Sequence, residues 1–292
     1  MKFVAAIKIR LFLLLMPLLL SACSLTETLT EISEQTEILN SLAEIEGKVK
    51  VTVAGDALIH VIVFTRKDDQ LELVDHYPAN SEGRYTLHVI PDDYYIAAYV
   101  DVNNDEIYQP DEPASYLGFT EGQPREISVS PGEKLIADTF TINGSIESPA
   151  SATSIWQYHQ HDKNIGRVVS LTDPIFSREN ASMGLWRPLD FLKDIGGGLF
   201  FLQEFDEEKI PVLFIHGANA SALDWQAAIE SIDREKFQPW VLYYPTGLRL
   251  DLVSDFLVKS ITTLYHRHKI KQLYVIAHSM GGLLARSYIM KH

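Results

Sequence analysis

A chain of 292 residues with 46% hydrophobic content can build two domains with packed cores, and its formal net charge of -14 excludes the basic footprint that nucleic acid requires. A single cysteine, Cys23, excludes an intrachain disulfide and a cysteine-held metal. The acidic balance itself reads as a solvated surface.

Residues 1–22 have the make-up of an export signal: Lys2, Lys8 and Arg10, then the apolar run Leu11 to Leu20, then Ser21-Ala22 before Cys23. That run is too short for a permanent membrane helix, which needs about 20 residues. Leu20-Ser21-Ala22-Cys23 resembles the bacterial lipobox. The resemblance implies cleavage before Cys23, a diacylglycerol on its thiol and an acyl chain, palmitate or similar, on its amine. Two or more chains, at about 0.8 kcal/mol per buried methylene, hold a protein at a membrane. Ser24 lacks the Asp that marks inner-membrane retention in such signals, so the resemblance points to the outer membrane. In residues 23–46 the lipidated cysteine is followed by Leu25, Leu29, Ile32, Leu39, Leu42 and Ile45 at near-helical spacing, which predicts a short helical stalk acting as a solvated spacer.

Residues 47–143 change to short period-two runs: Val49 to Val53, Leu58 to Phe64, Leu71 to Val74, Tyr85 to Ile90, Tyr95 to Val100 and Glu126 to Val129. Turn residues separate them, as at Asp68-Asp69, Asn80 to Gly83 and Pro131-Gly132, and the pattern predicts a β-sandwich. Glu82-Gly83-Arg84-Tyr85 followed by Pro91-Asp92-Asp93-Tyr94-Tyr95 resembles the transthyretin-like or carboxypeptidase-regulatory-like sandwich. That resemblance implies a spacer or adhesion unit without catalysis. Within it, Asp101, Asn103, Asp105, Gln109 and Glu112 fall at positions 1, 3, 5, 9 and 12 of a twelve-residue frame. The frame resembles an EF-hand-type loop outside an EF-hand fold, which implies a structural Ca2+ on Asp101, Asn103, Asp105 and Glu112. Glu106 stands where the sharp turn wants glycine, and Pro110 restricts the backbone further, so a solvated acidic turn is an equal reading.

Residues 144–165 lack periodicity and read as a linker; His159 and His161, two apart in a polar stretch, read as solvated. From 166 to 292 strands and helices alternate. Strands are expected at Arg167 to Leu171, Leu199 to Leu202, Pro211 to Ile215, Trp240 to Tyr244 and Gln272 to Ala277. Helices are expected at Met183 to Leu192, Ser221 to Ile232 and Leu252 to Tyr265. Such alternation predicts a mostly parallel sheet covered on both faces.

Ala277-His278-Ser279-Met280-Gly281 matches the G-x-S-x-G nucleophile elbow, with alanine in the first place, between an apolar strand and a helical pattern. Small residues at 277 and 281 suit the close approach of strand and helix at such a turn. Upstream, His216-Gly217-Ala218 ends a strand. The two motifs together resemble the α/β-hydrolases of the lipase and esterase type, over about 166–292 and the first half of that fold only. The resemblance implies Ser279 as the nucleophile and the amides of Ala218 and Met280 as the oxyanion hole, with His216, Gly217, Ala277 and Gly281 structural. In that family the acid and the histidine follow the serine. With 13 residues after Ser279, the triad Asp and His are expected to lie outside these 292 residues. The function expected is a lipid-anchored serine hydrolase of the cell envelope, cleaving carboxylic esters, lipid acyl esters first, and needing no cofactor for the chemistry. The alternative is a non-catalytic envelope lipoprotein acting as a binding or scaffolding module.

Overall fold

The computed structural model describes residues 29–52, 57–67, 70–109, 111–120, 124–144 and 162–291. The export signal, Cys23, Asp68-Asp69, Pro110, His159 and His161 lie outside the described residues.

The first helix, α1, covers residues 29–41. The stalk expected over 23–46 differs from it in two respects. Residues 43–46 open the first strand, β1 (Ala43–Val51), because Ala43 and Ile45 face the sandwich core and are fully buried. The helix also docks on the rest of the chain: Gln35 is buried and its Oε1 accepts the Leu189 N–H at 3.0 Å, while Glu31 stands 3.6 Å from Arg187. Helical spacing shows a face without showing what covers it.

Eight more strands complete the first domain: β2 (Leu58–Lys67), β3 (Gln70–Pro78), β4 (Arg84–Val89), β5 (Asp93–Asp101), β6 (Ala114–Tyr116), β7 (Ile127–Ser128), β8 (Lys134–Ile136) and β9 (Phe140–Ile142). One sheet runs β4-β1-β8, with β9 beside the second half of β1, and the other runs β3-β2-β5-β6, with β7 on β5. Inward residues of alternating strands, among them Ile45, Leu87, Val61 and Ile96, are at most 1% exposed and fill the space between the sheets. Gly83 turns the chain into β4 at φ +76°, where a Cβ would lie 2.0 Å from Val49 O. The outer face of β2 and β5 is covered by aromatics, with Tyr99 packed edge-on against Tyr108 from the loop after β5.

The second domain contains β10 (Ile165–Val168), α2 (Arg178–Trp186), α3 (Pro188–Asp194), β11 (Gly198–Phe201), β12 (Ile210–Ile215), α4 (Gln226–Ser231), β13 (Phe237–Tyr243), α5 (Leu250–His268), β14 (Tyr274–Ala277) and α6 (Met280–Lys291). The helix expected around Trp186-Arg187-Pro188 is two helices, since Pro188 has no N–H to continue α2 but suits the first turn of α3. Sheet order is β10-β11-β13-β12-β14; β11 runs against β13, and the other neighbours are parallel. Helices α5 and α6 cover one face over Leu213, Ile215 and Trp240. The segment 174–195 and α4 cover the other, where Phe176, Phe191 and Ile229 meet Phe200, Phe214 and Tyr243.

Helix α5 also buries Ser254, Asp255, Lys259 and Thr263. A helix covering only a sheet would turn these to water. Here that side meets the sandwich: His88 of β4 lies 2.7 Å from Asp255, and Lys259 stands 3.6 Å from Asp75 of β3. At the C-terminal end of α5, Arg267 reaches Glu106 at 2.7 Å and donates to Ile165 O at 3.1 Å.

Candidate active site

Strands β12 and β14 pair in parallel with Ile215 opposite Ala277, so the loops that follow them, 216–220 and 278–279, leave the sheet at the same edge. The His278 N–H donates to Ile215 O at 3.1 Å and continues the ladder one residue past β14. Ser279 then takes φ +53°, in the left-handed region that non-glycine residues rarely occupy, and α6 starts at Met280. That reversal lifts Ser279 onto the exposed rim.

The glycines hold the two loops together. A Cβ on Gly281 would lie 2.5 Å from Ile215 O and 2.6 Å from His216 O, both backbone atoms, so only glycine allows α6 to start this close to β12. A Cβ on Gly217 would lie 3.1 Å from Ser279 Cβ and 3.2 Å from His278 Nδ1. Met280 is the first residue of α6, so its N–H has no acceptor within the helix and carries the positive end of the helix dipole. Ala218 lies in the turn after β12 and is exposed.

His216 is 1% exposed and stacked on Tyr244, ring centroids 4.4 Å apart. Its Nδ1 lies 2.9 Å from Gly217 O, and its Nε2 receives a long contact of 3.5 Å from the Tyr244 N–H, so the proton belongs on Nδ1. Tyr244 OH donates in turn to His216 O at 2.7 Å. Burial pushes the His216 pKa down to about 4, which keeps the ring neutral. It braces the loop and stays neutral through the neutral pH range.

An open cleft of about 370 Å³ lies over this edge, lined by Ser279, His278, Gly217, Ala218, Asp224 and Trp225 among others. Ser279, Gly217, Ala218 and His216 line it together; Ala277 and Met280 pack on the core of the sheet, and Gly281 lies against the backbone at the end of β12. Asp224 and Trp225 were not legible as site residues. Asp224 accepts the Ser221 N–H at 2.8 Å and closes a capping box, and the Ser221-x-x-Asp224 spacing was the one available signal. Asn219, at φ +52°, donates its N–H to Thr246 Oγ1 at 3.1 Å, which ties the loop to the end of β13.

The acidic loop lies apart from this cleft, at the far end of β5. Asp101 Oδ2 accepts the Glu106 N–H at 2.9 Å, Asp105 Oδ1 accepts the Ile107 N–H at 2.8 Å, and Glu112 accepts the N–H groups of Val102 and Gln109 at 2.8 and 2.9 Å. Asn103 Oδ1 accepts the Asp105 N–H at 3.0 Å. Glu106 adopts φ +63°, so the turn forms without glycine at its sixth position. Among the described residues no group of three or more His, Cys, Asp or Glu side chains is gathered closely enough to hold a metal ion.

No protein-family model matches the sequence, and no curated protein matches it. Among solved structures, similarity is found to the dioxygenase domain of a dioxygenase carbohydrate-binding protein fusion from Streptomyces sp. SirexAA-E. That likeness has 13% identity and a TM-score of 0.22 and covers 37% of this chain and 83% of that one. An (S)-allantoin synthase matches at 12% identity and a TM-score of 0.22, over 36% of this chain and 42% of its own. A 9R-lipoxygenase from Cyanothece PCC8801 matches at 14% identity and the same TM-score, over 50% of this chain and 22% of its own. The chain therefore spans less than half of the second and third of these proteins, and likenesses this weak carry no argument about function.

Proposed function

We propose that the chain is a lipid-anchored serine hydrolase of the α/β-hydrolase type that cleaves carboxylic esters, lipid acyl esters first, through an acyl-Ser279 intermediate. The observation that carries this reading is Ser279 itself, at φ +53° between β14 and α6 and facing an open cleft beside Gly217. A strained, exposed serine at a strand-to-helix turn is the geometry a nucleophile elbow needs. In the proposed cycle Ser279 Oγ attacks the ester carbonyl carbon while its proton passes to a general base. The carbonyl oxygen gains charge facing the N–H groups of Ala218 and Met280, where fixed donors stabilise it. The bond to the alcohol then breaks, the alcohol leaves with the proton, and water cleaves the acyl-serine to release the carboxylic acid.

His216 does not suit the role of base, because it is buried, neutral and hydrogen-bonded within its own loop. The reading requires a base and an orienting acid beyond those assigned among the described residues. It also includes an envelope location set by the lipid on Cys23; no step of it runs through the acidic loop of Asp101, Asn103, Asp105 and Glu112, whose side-chain oxygens accept backbone N–H groups of that same loop.

A fluorophosphonate probe tests the nucleophile. It is expected to modify Ser279, to leave Ser279→Ala unmodified, and to abolish ester hydrolysis in parallel. Failure of the probe to modify Ser279 would favour the binding or scaffolding alternative.

A further inference from the structure

The loop that carries the proposed oxyanion donor is exposed at Ala218 and Asn219, and two buried side chains hold it from behind. One is His216, whose Nδ1–H donates to Gly217 O at 2.9 Å. In a planar trans peptide the C=O and the following N–H point opposite ways, so a grip on Gly217 O turns the Ala218 N–H away from the buried ring. Among the described residues no acceptor takes that N–H. The other is Thr246, whose Oγ1 accepts the Asn219 N–H at 3.1 Å and so fixes the peptide on the far side of Ala218. Asn219 needs such a hold, because φ +52° lies in the left-handed region, which a residue with a Cβ occupies only at a cost.

Thr246 is itself firmly placed. It is 7% exposed and lies in a tight turn after β13, in which the Leu248 N–H donates to Pro245 O at 3.2 Å. The Gly247 N–H donates to Gly184 O of α2 at 2.8 Å, and a Cβ on Gly247 would lie 2.2 Å from Leu185 O, so this turn rests directly on helix backbone. We propose that Thr246 is a positioning residue of the oxyanion hole: its hydroxyl oxygen holds the Ala218–Asn219 peptide, and with it the aim of the Ala218 N–H at the oxygen that gains charge. The inference rests on the esterase reading and adds a residue outside both sequence motifs. Without the hydroxyl, water satisfies the exposed Asn219 N–H, Asn219 is free to leave the left-handed region, and the donor loses its fixed direction. Such a donor acts by being aimed before charge develops. Its loss therefore falls on the bond-forming step and not on binding.

The test follows a fluorophosphonate on the full chain over a range of probe concentrations, which separates reversible binding from the bond-forming rate constant. Ser279 Oγ bonds to phosphorus, the P–F bond breaks, fluoride leaves, the hydroxyl proton passes to solvent, and the phosphoryl oxygen takes the oxyanion position. Thr246→Val keeps the side-chain shape and removes the acceptor. It is expected to lower the bond-forming rate constant about tenfold, less than the roughly hundredfold that loss of a donor itself costs, with probe binding unaltered. Thr246→Ser restores the hydroxyl and is expected to recover the wild-type rate within about twofold, which a role for the methyl group in packing would not allow. In the wild type the Asn219 amide is expected to exchange slowly, and the Ala218 amide resonance to move downfield when Ser279 is modified. These two readouts need no variant, so they decide the matter even where Thr246→Val does not fold. Equal rate constants in wild type and Thr246→Val, no recovery in Thr246→Ser, a fast-exchanging Asn219 amide or an unmoved Ala218 resonance would each overturn the inference while Ser279 is still modified. A wild type whose Ser279 is not modified at all overturns the esterase reading, and this inference with it.

Discussion

Ser279 sits on strained backbone, and the residues that hold it there are themselves buried and polar. His216 is the most sensitive of them. Its folded pKa, about 4, lies below the ordinary value of 6.5, so on acidification the unfolded chain takes up the proton first. The stability that the neutral ring contributes is whole above 6.5 and is lost as the pH falls from 6.5 toward about 4. The full loss amounts to roughly 3 kcal/mol. Urea unfolding at a series of pH values across that window is expected to show this slope, and His216→Gln, which does not titrate there, is expected to flatten it. An unchanged slope in the variant would assign the acid sensitivity to other groups.

At the level of elements, α6 can start where it does only because β12 admits it. Gly281→Ala drives a methyl against two backbone carbonyls and is expected to cost about 3 kcal/mol in urea unfolding, with loss of fluorophosphonate reactivity at Ser279. Gly282, one residue on, has nothing within 4 Å of a built Cβ, so Gly282→Ala is expected to gain about 0.5–1 kcal/mol through helix propensity. Opposite signs at adjacent glycines separate close packing from propensity. The small residues around Ser279 were legible in the sequence for this reason, since a motif states the spacing that backbone contact demands. Strand β4 was legible through period-two alternation, whereas β2 and β5, buried on both faces, were legible as continuous β-branched and aromatic runs. Strands β6, β8 and β9 have three residues each, too few to show a period, and β8 with the pattern exposed, half-buried, exposed presents no buried face to detect. The end of the stalk was misplaced because Leu39, Leu42 and Ile45, three apart, continue a helical spacing, whereas the structure buries Ala43 and Ile45, two apart, on one face of a strand.

Across the whole molecule the sandwich and the α/β domain behave in sequence as separate units, yet polar contacts join them. Asp255 is 8% exposed and His88 13%, so their 2.7 Å contact is largely shielded from water. Breaking it by His88→Ala leaves a buried carboxylate that has lost a close partner, at about 1–3 kcal/mol. Arg267 is more exposed, but it spans three parts of the chain: its own helix, Glu106 in the loop after β5 and the Ile165 carbonyl at the start of β10. Its removal is expected to cost less, about 1 kcal/mol, because solvent screens the ion pair. Together these contacts should make the two domains melt as one, since the sandwich cannot unfold without exposing the polar side of α5. Calorimetry of the wild type is therefore expected to give a single transition, and His88→Ala with Arg267→Ala is expected to divide it into two. Two transitions in the wild type would mean that the sandwich is a passive spacer. One transition in the double variant would place the coupling in other contacts, with α1 and its Gln35 bond to Leu189 the next to remove.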